Sequence, residues 1–287
     1  MTTVLKIKTD DKYVAVDGLK SRYIEDGNGP AVLFLHGASL GSSADVFIRN
    51  LPPFAKAGFR AIAVDMPGYG LTDNPTDHSA AYRRNFIPKF VDALGVKKVA
   101  LIAHSQAGGM AVQLALAEPT RYSHVCVLGN GSLLPPLTAK GGEVKEAAVQ
   151  QRLERRMATS EPTLADTRKA LEATLFHHDL ITDDDLQLRH SRSLGKNFTA
   201  FVARQEATNA APAKTPSTPL WERLTELKMP LLMIYGREDR GNAAERAEML
   251  KKLRPGIAIH IVDGCKHLVP WDAADAIARL GVPFLKS

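Results

Sequence analysis

Val99-Ala-Leu-Ile-Ala-His-Ser105-Gln-Ala-Gly-Gly109 is the stretch on which the reading of this chain turns. An apolar run with strand character ends at a serine, and a helical pattern starts at once. Residues 103 and 107, two before and two after the serine, are both alanine. A strand that doubles back into a helix around an exposed nucleophile needs small side chains at those two positions, because larger ones would collide in the turn. The usual pattern has glycine at both; alanine fits sterically but is less free at unusual dihedrals. The helix N-terminus would favour negative charge beside the serine. A plain serine N-cap gives the same local signature, so the segment alone leaves two readings open.

Working outward, short apolar runs at 31–35, 61–64, 99–103, 125–128, 231–235 and 257–262 alternate with longer stretches of helical periodicity, such as 110–118 and 243–253. Fully apolar short strands between helices predict an α/β fold with a mostly parallel sheet covered on both faces. Residues 4–24 alternate more and carry an Asp17-Gly18 turn, which predicts antiparallel strands at one edge. The alternation breaks between 134 and 225. Helical patterns occupy 143–158, 163–175, 183–194 and 198–209, Thr182 with Asp185 resembles a helix-start arrangement, and a Pro/Thr/Ala-rich stretch at 211–219 closes the segment. The expected organisation is a core of residues 1–133 and 226–287, with a helical cap of residues 134–225 inserted after the sixth core strand. Such a cap would sit over the carboxyl edge of the sheet, where open α/β sheets bind ligands.

The other strand ends carry chemistry in a telling order. Leu33-Phe-Leu-His36-Gly37-Ala38-Ser39 ends a buried strand in a loop whose Ala38 N–H, with that of Gln106, would form an oxyanion hole. Gly68 and Gly70 in Asp65-Met-Pro-Gly-Tyr-Gly70 read as turn glycines; they do not match a dinucleotide fingerprint. Asp239 follows the strand Leu231-Leu-Met-Ile-Tyr-Gly236, and His267 follows 257–262. The order Ser105, Asp239, His267 matches one hydrolase fold and neither the chymotrypsin nor the subtilisin order. A serine hydroxyl is a weak nucleophile, so His267 would accept its proton and Asp239 would hold the imidazole tautomer. Glu238 and Asp263 compete for the acid role.

Composition narrows the classes. The chain has 287 residues, 45% hydrophobic and 24% charged, with a net charge of +6. The basic residues are scattered, and Arg152, Arg155 and Arg156 fall at helical spacing beside Glu154, as on a solvated helix face, so no nucleic-acid partner is expected. Two cysteines exclude a disulfide framework; Cys126 reads as a buried small hydrophobe and Cys265 as an incidental thiol. His177, His178 and His190 near Asp183–Asp185 lack metal-ligand spacing, so no metal and no cofactor is expected. No apolar stretch is long enough to span a bilayer and no secretory leader is visible, which predicts a cytoplasmic protein.

With these motifs in place the chain resembles the α/β-hydrolase superfamily, from His36-Gly37 to His267. The serine at 105 sets it apart from the members that use an aspartate nucleophile. Within the superfamily it is most similar to the meta-cleavage-product hydrolases, which cut a carbon–carbon bond in dienoic ring-fission products. Three stretches carry the likeness: Leu128-Gly-Asn-Gly-Ser-Leu-Leu-Pro-Pro136, His178-Asp-Leu-Ile-Thr-Asp-Asp-Asp-Leu-Gln-Leu-Arg189, and Gly37-Ala-Ser-Leu-Gly41 with Phe47-Ile-Arg-Asn50. The resemblance implies that Arg189 anchors a substrate carboxylate and that His36, Ser39, His104 and Leu268 line the pocket. Arg189 could equally pair with Asp185 at i,i+4 on a solvated face. The chain departs from the group at His104, where asparagine is usual, at Val46 in place of another asparagine, and at Leu268, where tryptophan is frequent. Fewer polar donors there keep a carboxylesterase of small esters or lactones open as an alternative. A ligand receptor and a cofactor-free oxygenase or lyase on the same fold are the readings outside hydrolysis. A small-molecule substrate is expected, and a homodimer is the assembly expected of the group.

Overall fold

The computed structural model describes residues 10–137, 159–210 and 218–287. The helix expected at 143–158, with its arginine cluster, and most of the stretch 211–219 lie outside the described residues.

Eight strands form one sheet: β1 (Lys12–Val16), β2 (Leu19–Asp26), β3 (Ala31–Leu35), β4 (Arg60–Val64), β5 (Val99–His104), β6 (Tyr122–Leu128), β7 (Leu231–Gly236) and β8 (Ala258–Val262). Their order is β1-β2-β4-β3-β5-β6-β7-β8. The first two are antiparallel, β2 pairs antiparallel with β4, and all later pairings are parallel. Asp17 and Gly18 join β1 to β2 with φ of 51° and 79°, the two positive values that a tight two-residue hairpin turn requires.

Alternate residues of each central strand feed opposite faces. Leu33, Leu35, Ile62, Leu101, Val127 and Met233 face α2 (Ala80–Ala93), α3 (Gln106–Ala117) and, further along, α7 (Ala243–Leu253). Val32, Phe34, Ala63, Ile102, Leu128 and Ile234 face α1 (Leu51–Lys56), α8 (Val269–Asp272) and α9 (Ala274–Phe284). Both faces are therefore dry, which is why the strands carry no polar alternation.

Between β6 and β7 lie α4 (Leu164–Thr174), α5 (Asp183–Ser191) and α6 (Lys196–Ala210). Leu171, Leu175, Ile181 and Leu186 from this segment join the same apolar cluster as Val46, Leu268 and Trp271. Polar ties add to that contact. Arg49 donates to the Asp185 carboxylate at 2.6 Å, Arg192 to Asp45 at 3.2 Å, and the Leu268 N–H to the Thr174 carbonyl at 2.9 Å. Among the described residues no helix is long and apolar enough to cross a membrane.

The chain enters the sheet's centre at β3, moves to β4 on one side and then to β5 on the other. The loops after β3 and β5 thus diverge at the carboxyl edge and leave a crevice between them. His36 and Ser105 follow those two strands.

Candidate active site

Ser105 has φ 53° and ψ −127°, a strained backbone region for any residue with a Cβ. Its surroundings hold it there. Its N–H donates to the Leu128 carbonyl at 2.8 Å, and its own carbonyl accepts from the Gly108 N–H at 2.9 Å and from Asn130 Nδ2 at 2.5 Å. Asn130 is itself fixed, its Oδ1 accepting from the Leu133 N–H at 3.1 Å and from the Ser132 hydroxyl at 2.7 Å. Ala103 and Ala107 are buried beneath the turn. A Cβ at Gly108 would come within 2.9 Å of Val127 and 3.0 Å of Asn130 Cβ, so glycine lets α3 start this close to β6. The helix begins at Gln106, directly after the serine, as the pattern predicts.

Ser105 Oγ lies 2.9 Å from His267 Nε2, and His267 Nδ1 lies 3.1 Å from both carboxylate oxygens of Asp239. The three side chains come from loops after β5, β8 and β7 and meet at one edge because those strands are parallel. The rival acids are engaged elsewhere: Glu238 accepts from the Cys265 N–H at 2.9 Å, and Asp263 is an exposed partner of Arg237. Both cysteines are buried, and burial pushes both thiols up, away from thiolate chemistry.

The loop after β3 approaches this turn closely. A Cβ at Gly37 would sit 3.0 Å from Ser105 Cβ and 3.1 Å from His104 Nδ1. Ala38 and Gln106 therefore flank the serine, and neither N–H has a hydrogen-bond acceptor among the described residues. Two free amides beside a serine hydroxyl can receive a developing oxyanion.

The expected substrate contacts divide. His36 lines a narrow cavity with Gly37, Ala38 and Gln106, while both its ring nitrogens serve the backbone: Nδ1 donates to the Gly37 carbonyl at 2.7 Å, and Nε2 accepts from the Met66 N–H at 3.0 Å. Burial pushes it down to about 4, so it stays neutral and fastens the loop. His104 likewise donates from Nε2 to the His267 carbonyl at 2.8 Å, and burial, with His267 nearby, pushes it down to about 3. Ser39 is exposed at the loop's edge. Leu268 is buried in the apolar cluster that joins the histidine loop to α4.

Arg189 is not the partner of Asp185, which belongs to Arg49. Its guanidinium passes the loop after β3, where a Cβ at Gly41 would meet its Nε at 3.0 Å, and its charge is felt at His36 and His104. It has no acidic partner among the described residues, and burial pulls it down to about 10. A half-buried cation without an acidic partner, close to the serine turn, can receive an anionic ligand. Among the described residues no group of three or more His, Cys, Asp or Glu side chains could hold a metal ion.

Two residues of this arrangement escape sequence reasoning. Asn130 sits in a quoted stretch but carries no local signal for bonding a carbonyl 25 positions back. Tyr69, whose hydroxyl donates to the Ala38 carbonyl at 3.2 Å, looks like an ordinary turn residue between two glycines.

Residues 30–274 match the family described as the alpha/beta hydrolase fold. The 2-hydroxy-6-oxononadienedioate/2-hydroxy-6-oxononatrienedioate hydrolase of Burkholderia vietnamiensis is 29% identical, over 96% of this chain and 95% of that protein. The 2-hydroxy-6-oxo-6-phenylhexa-2,4-dienoate hydrolase of Burkholderia cepacia is 30% identical over 99% of both. Among solved structures, a meta-cleavage product hydrolase from Pseudomonas fluorescens superposes with a TM-score of 0.76 at 25% identity, covering 96% of this chain and 97% of that one.

Proposed function

The chain belongs to the α/β-hydrolase family, and from that premise we propose that it is a cofactor-free serine hydrolase cleaving a carbon–carbon bond in a dienoic ring-fission product of the 2-hydroxy-6-oxo type. The observation that carries this reading is Arg189, half-buried and without an acidic partner among the described residues, whose charge reaches His104 beside the Ser105–His267–Asp239 relay. Ester hydrolysis needs the relay alone; a dienoate also brings a carboxylate that needs a cation.

In the proposed reaction Arg189 holds the C1 carboxylate and the 2-hydroxydiene first ketonises, its O2 proton moving to C5. His267 then takes the Ser105 proton as Oγ adds to C6, and the C6 oxyanion is received by the Ala38 and Gln106 N–H groups. The C5–C6 bond breaks, and its electron pair runs through C3=C4 to O2, which takes the proton held by His267. Water, deprotonated by His267, displaces Ser105 from the acyl group and releases the acid, and the proton returns to Ser105. Asp239 keeps the His267 Nδ1 proton in place and stabilises the imidazolium. Residues 134–225 act as the cap that brings Arg189 over the core of residues 1–133 and 226–287.

A carboxylesterase is the second reading. It is favoured by one observation: His104 spends Nε2 on the backbone and Leu268 is apolar, which leaves few polar donors for a dienoate. Comparing kcat/KM on 2-hydroxy-6-oxo dienoates and on neutral aryl esters, for wild type and Arg189→Ala, separates the two. A charge-assisted hydrogen bond to a buried carboxylate is worth about 1.5–3 kcal/mol, so the variant should lose about ten- to a hundredfold on dienoates and little on esters. Equal values on dienoates for both proteins would remove the C–C reading.

A further inference from the structure

The loop that carries His267 is held on both sides of that residue, and the holder on one side is a carboxylate outside the Ser105–His267–Asp239 relay. Asp272, the last residue of α8, accepts the Lys266 N–H at 2.9 Å on one oxygen. The same oxygen accepts the Phe176 N–H at 2.9 Å, and the other accepts the His177 N–H at 3.1 Å. Beyond His267, the Leu268 N–H donates to the Thr174 carbonyl at 2.9 Å. Both neighbours of His267 are thus tied to residues 174–177, where α4 ends in the insert between β6 and β7. The two segments also meet through side chains: a Cβ at Gly264 would lie 3.3 Å from His177 Nε2 and 3.6 Å from the Phe176 ring.

A loop outside helix and sheet has to satisfy its N–H groups one by one. Glu238 takes the Cys265 N–H, and His104 donates to the His267 carbonyl, so these two fasten the loop to the core. Asp272 fastens it to the insert. Bonds from backbone N–H groups to a carboxylate are shorter and stronger than neutral ones. One carboxylate that receives three N–H groups from two segments fixes their separation as well as their direction. His267 depends on such fixing. Its ring must reach Ser105 Oγ at 2.9 Å and Asp239 at 3.1 Å at the same time, and a displacement of about 1 Å from a productive geometry costs about a hundredfold in rate.

We propose that Asp272 is a positioning residue for His267, and that through it the seating of residues 174–177 sets the aim of the imidazole. Asp272 touches neither substrate nor reacting atoms. The inference rests on the relay and holds for either bond, carbon–carbon or ester. Without the carboxylate three N–H groups lose their acceptor, Lys266 is released, and the ring strays from Ser105 with its own chemistry intact. On a neutral ester kcat should therefore fall while KM stays unchanged.

The test reads the reactivity of Ser105 with a fluorophosphonate. Ser105 Oγ attacks phosphorus, the O–P bond forms, the P–F bond breaks, fluoride leaves, and the hydroxyl proton passes to His267. The rate constant of this labelling, followed by mass spectrometry, reports the relay whichever bond the enzyme cuts. Asp272→Ala should slow it by about ten- to a hundredfold. Asp272→Asn should lie between, because its amide oxygen can keep the Lys266 N–H while its NH2 group faces the donor of His177. Thr163→Ala loosens α4 at its far end and should label at the wild-type rate. A carboxylate that serves stability alone would lower the unfolding temperature of Asp272→Ala and leave the rate per folded molecule unchanged, which would overturn the proposal. Equal slowing in Thr163→Ala would overturn it too, as general loosening of the insert. Where Asp272→Ala does not fold, Asp272→Asn decides, and labelling at the wild-type rate would count against the proposal in the same way. A wild type that is not labelled at Ser105 would overturn the relay and the proposal together. Slowed labelling of Asp272→Ala, in an enzyme that turns over aryl esters and no dienoate, would uphold Asp272 and overturn the C–C reading.

Discussion

Ser105 is the residue at which local preference and tertiary structure disagree most openly. A backbone conformation of this kind costs roughly 1–3 kcal/mol, and it is held by bonds to Leu128, Gly108 and Asn130. The serine and its alanine flanks are legible in the sequence because small size is a local requirement. Asn130 is not, because a side chain's choice of a distant carbonyl leaves no periodic trace. The same divide separates Asp239, placed by chain order, from His36, whose loss to the backbone depends on where Met66 lies. If Ser105, His267 and Asp239 work as one unit, Ser105→Ala and His267→Ala should each lower kcat by roughly three or more orders of magnitude. The double variant should lose little more than either single one. Steady-state kinetics on folded protein measures this, and additive losses would mean that the residues act separately.

At the scale of elements, α5 is a short helix with a demanding load. Thr182 starts it, its hydroxyl oxygen accepting from the Asp185 N–H at 3.1 Å and its proton going to the Asp185 carboxylate at 2.8 Å. Asp185 in turn receives Arg49. The cap therefore fixes the azimuth of a helix that carries Arg189 one turn further on. Thr163 starts α4 in the same manner, with Asp166 closing a reciprocal pair, but carries no residue of the site. Thr182→Ala and Thr163→Ala should each cost about 1 kcal/mol by urea unfolding. Only Thr182→Ala should also raise KM for a carboxylate substrate, and equal KM in both variants would show that the cap does not orient Arg189. The helix start at Thr182 is visible in the sequence because capping is a short-range pattern. The end of α5 at Ser191, before the expected 194, is set by Arg192 turning back to Asp45, a residue 147 positions away.

For the whole molecule, the alternation of apolar strands and amphipathic helices reveals the α/β class, but not the order of strands, since β3 and β4 share one hydrophobic pattern. Nor does it reveal the buried group in which Arg22 meets Asp45 and Asp65 while Asp65 accepts the N–H groups of Ala44 and Leu71. The buried histidines give the fold a pH dependence. His36 and His104 are held at about 4 and about 3, below the ordinary value near 6.5, chiefly by burial. The unfolded chain thus binds protons that the native protein refuses, and stability is lost as pH falls from about 6.5 towards 4. Each histidine contributes about 1.4 kcal/mol per pH unit in that window. Asp65, which burial pushes up to about 6, acts in the opposite sense, so the informative quantity is a difference. His104→Asn should flatten the slope of unfolding free energy against pH by about 1.4 kcal/mol per unit between pH 6 and 4.5. An unchanged slope would mean that His104 is protonated in the native protein.

The chain has two tryptophans, and Trp271 stands where core and insert meet. Its indole N–H donates to the Val46 carbonyl at 3.1 Å, and the Arg49 guanidinium lies 4.3 Å above its ring. Arg49 is the same side chain that grips Asp185 on α5. When that grip loosens, the positive charge over the indole moves and the ring's excited state meets a different electric field. The protein thereby carries its own optical gauge: the colour of Trp271 emission follows the seating of the helix that holds Arg189, with no label attached.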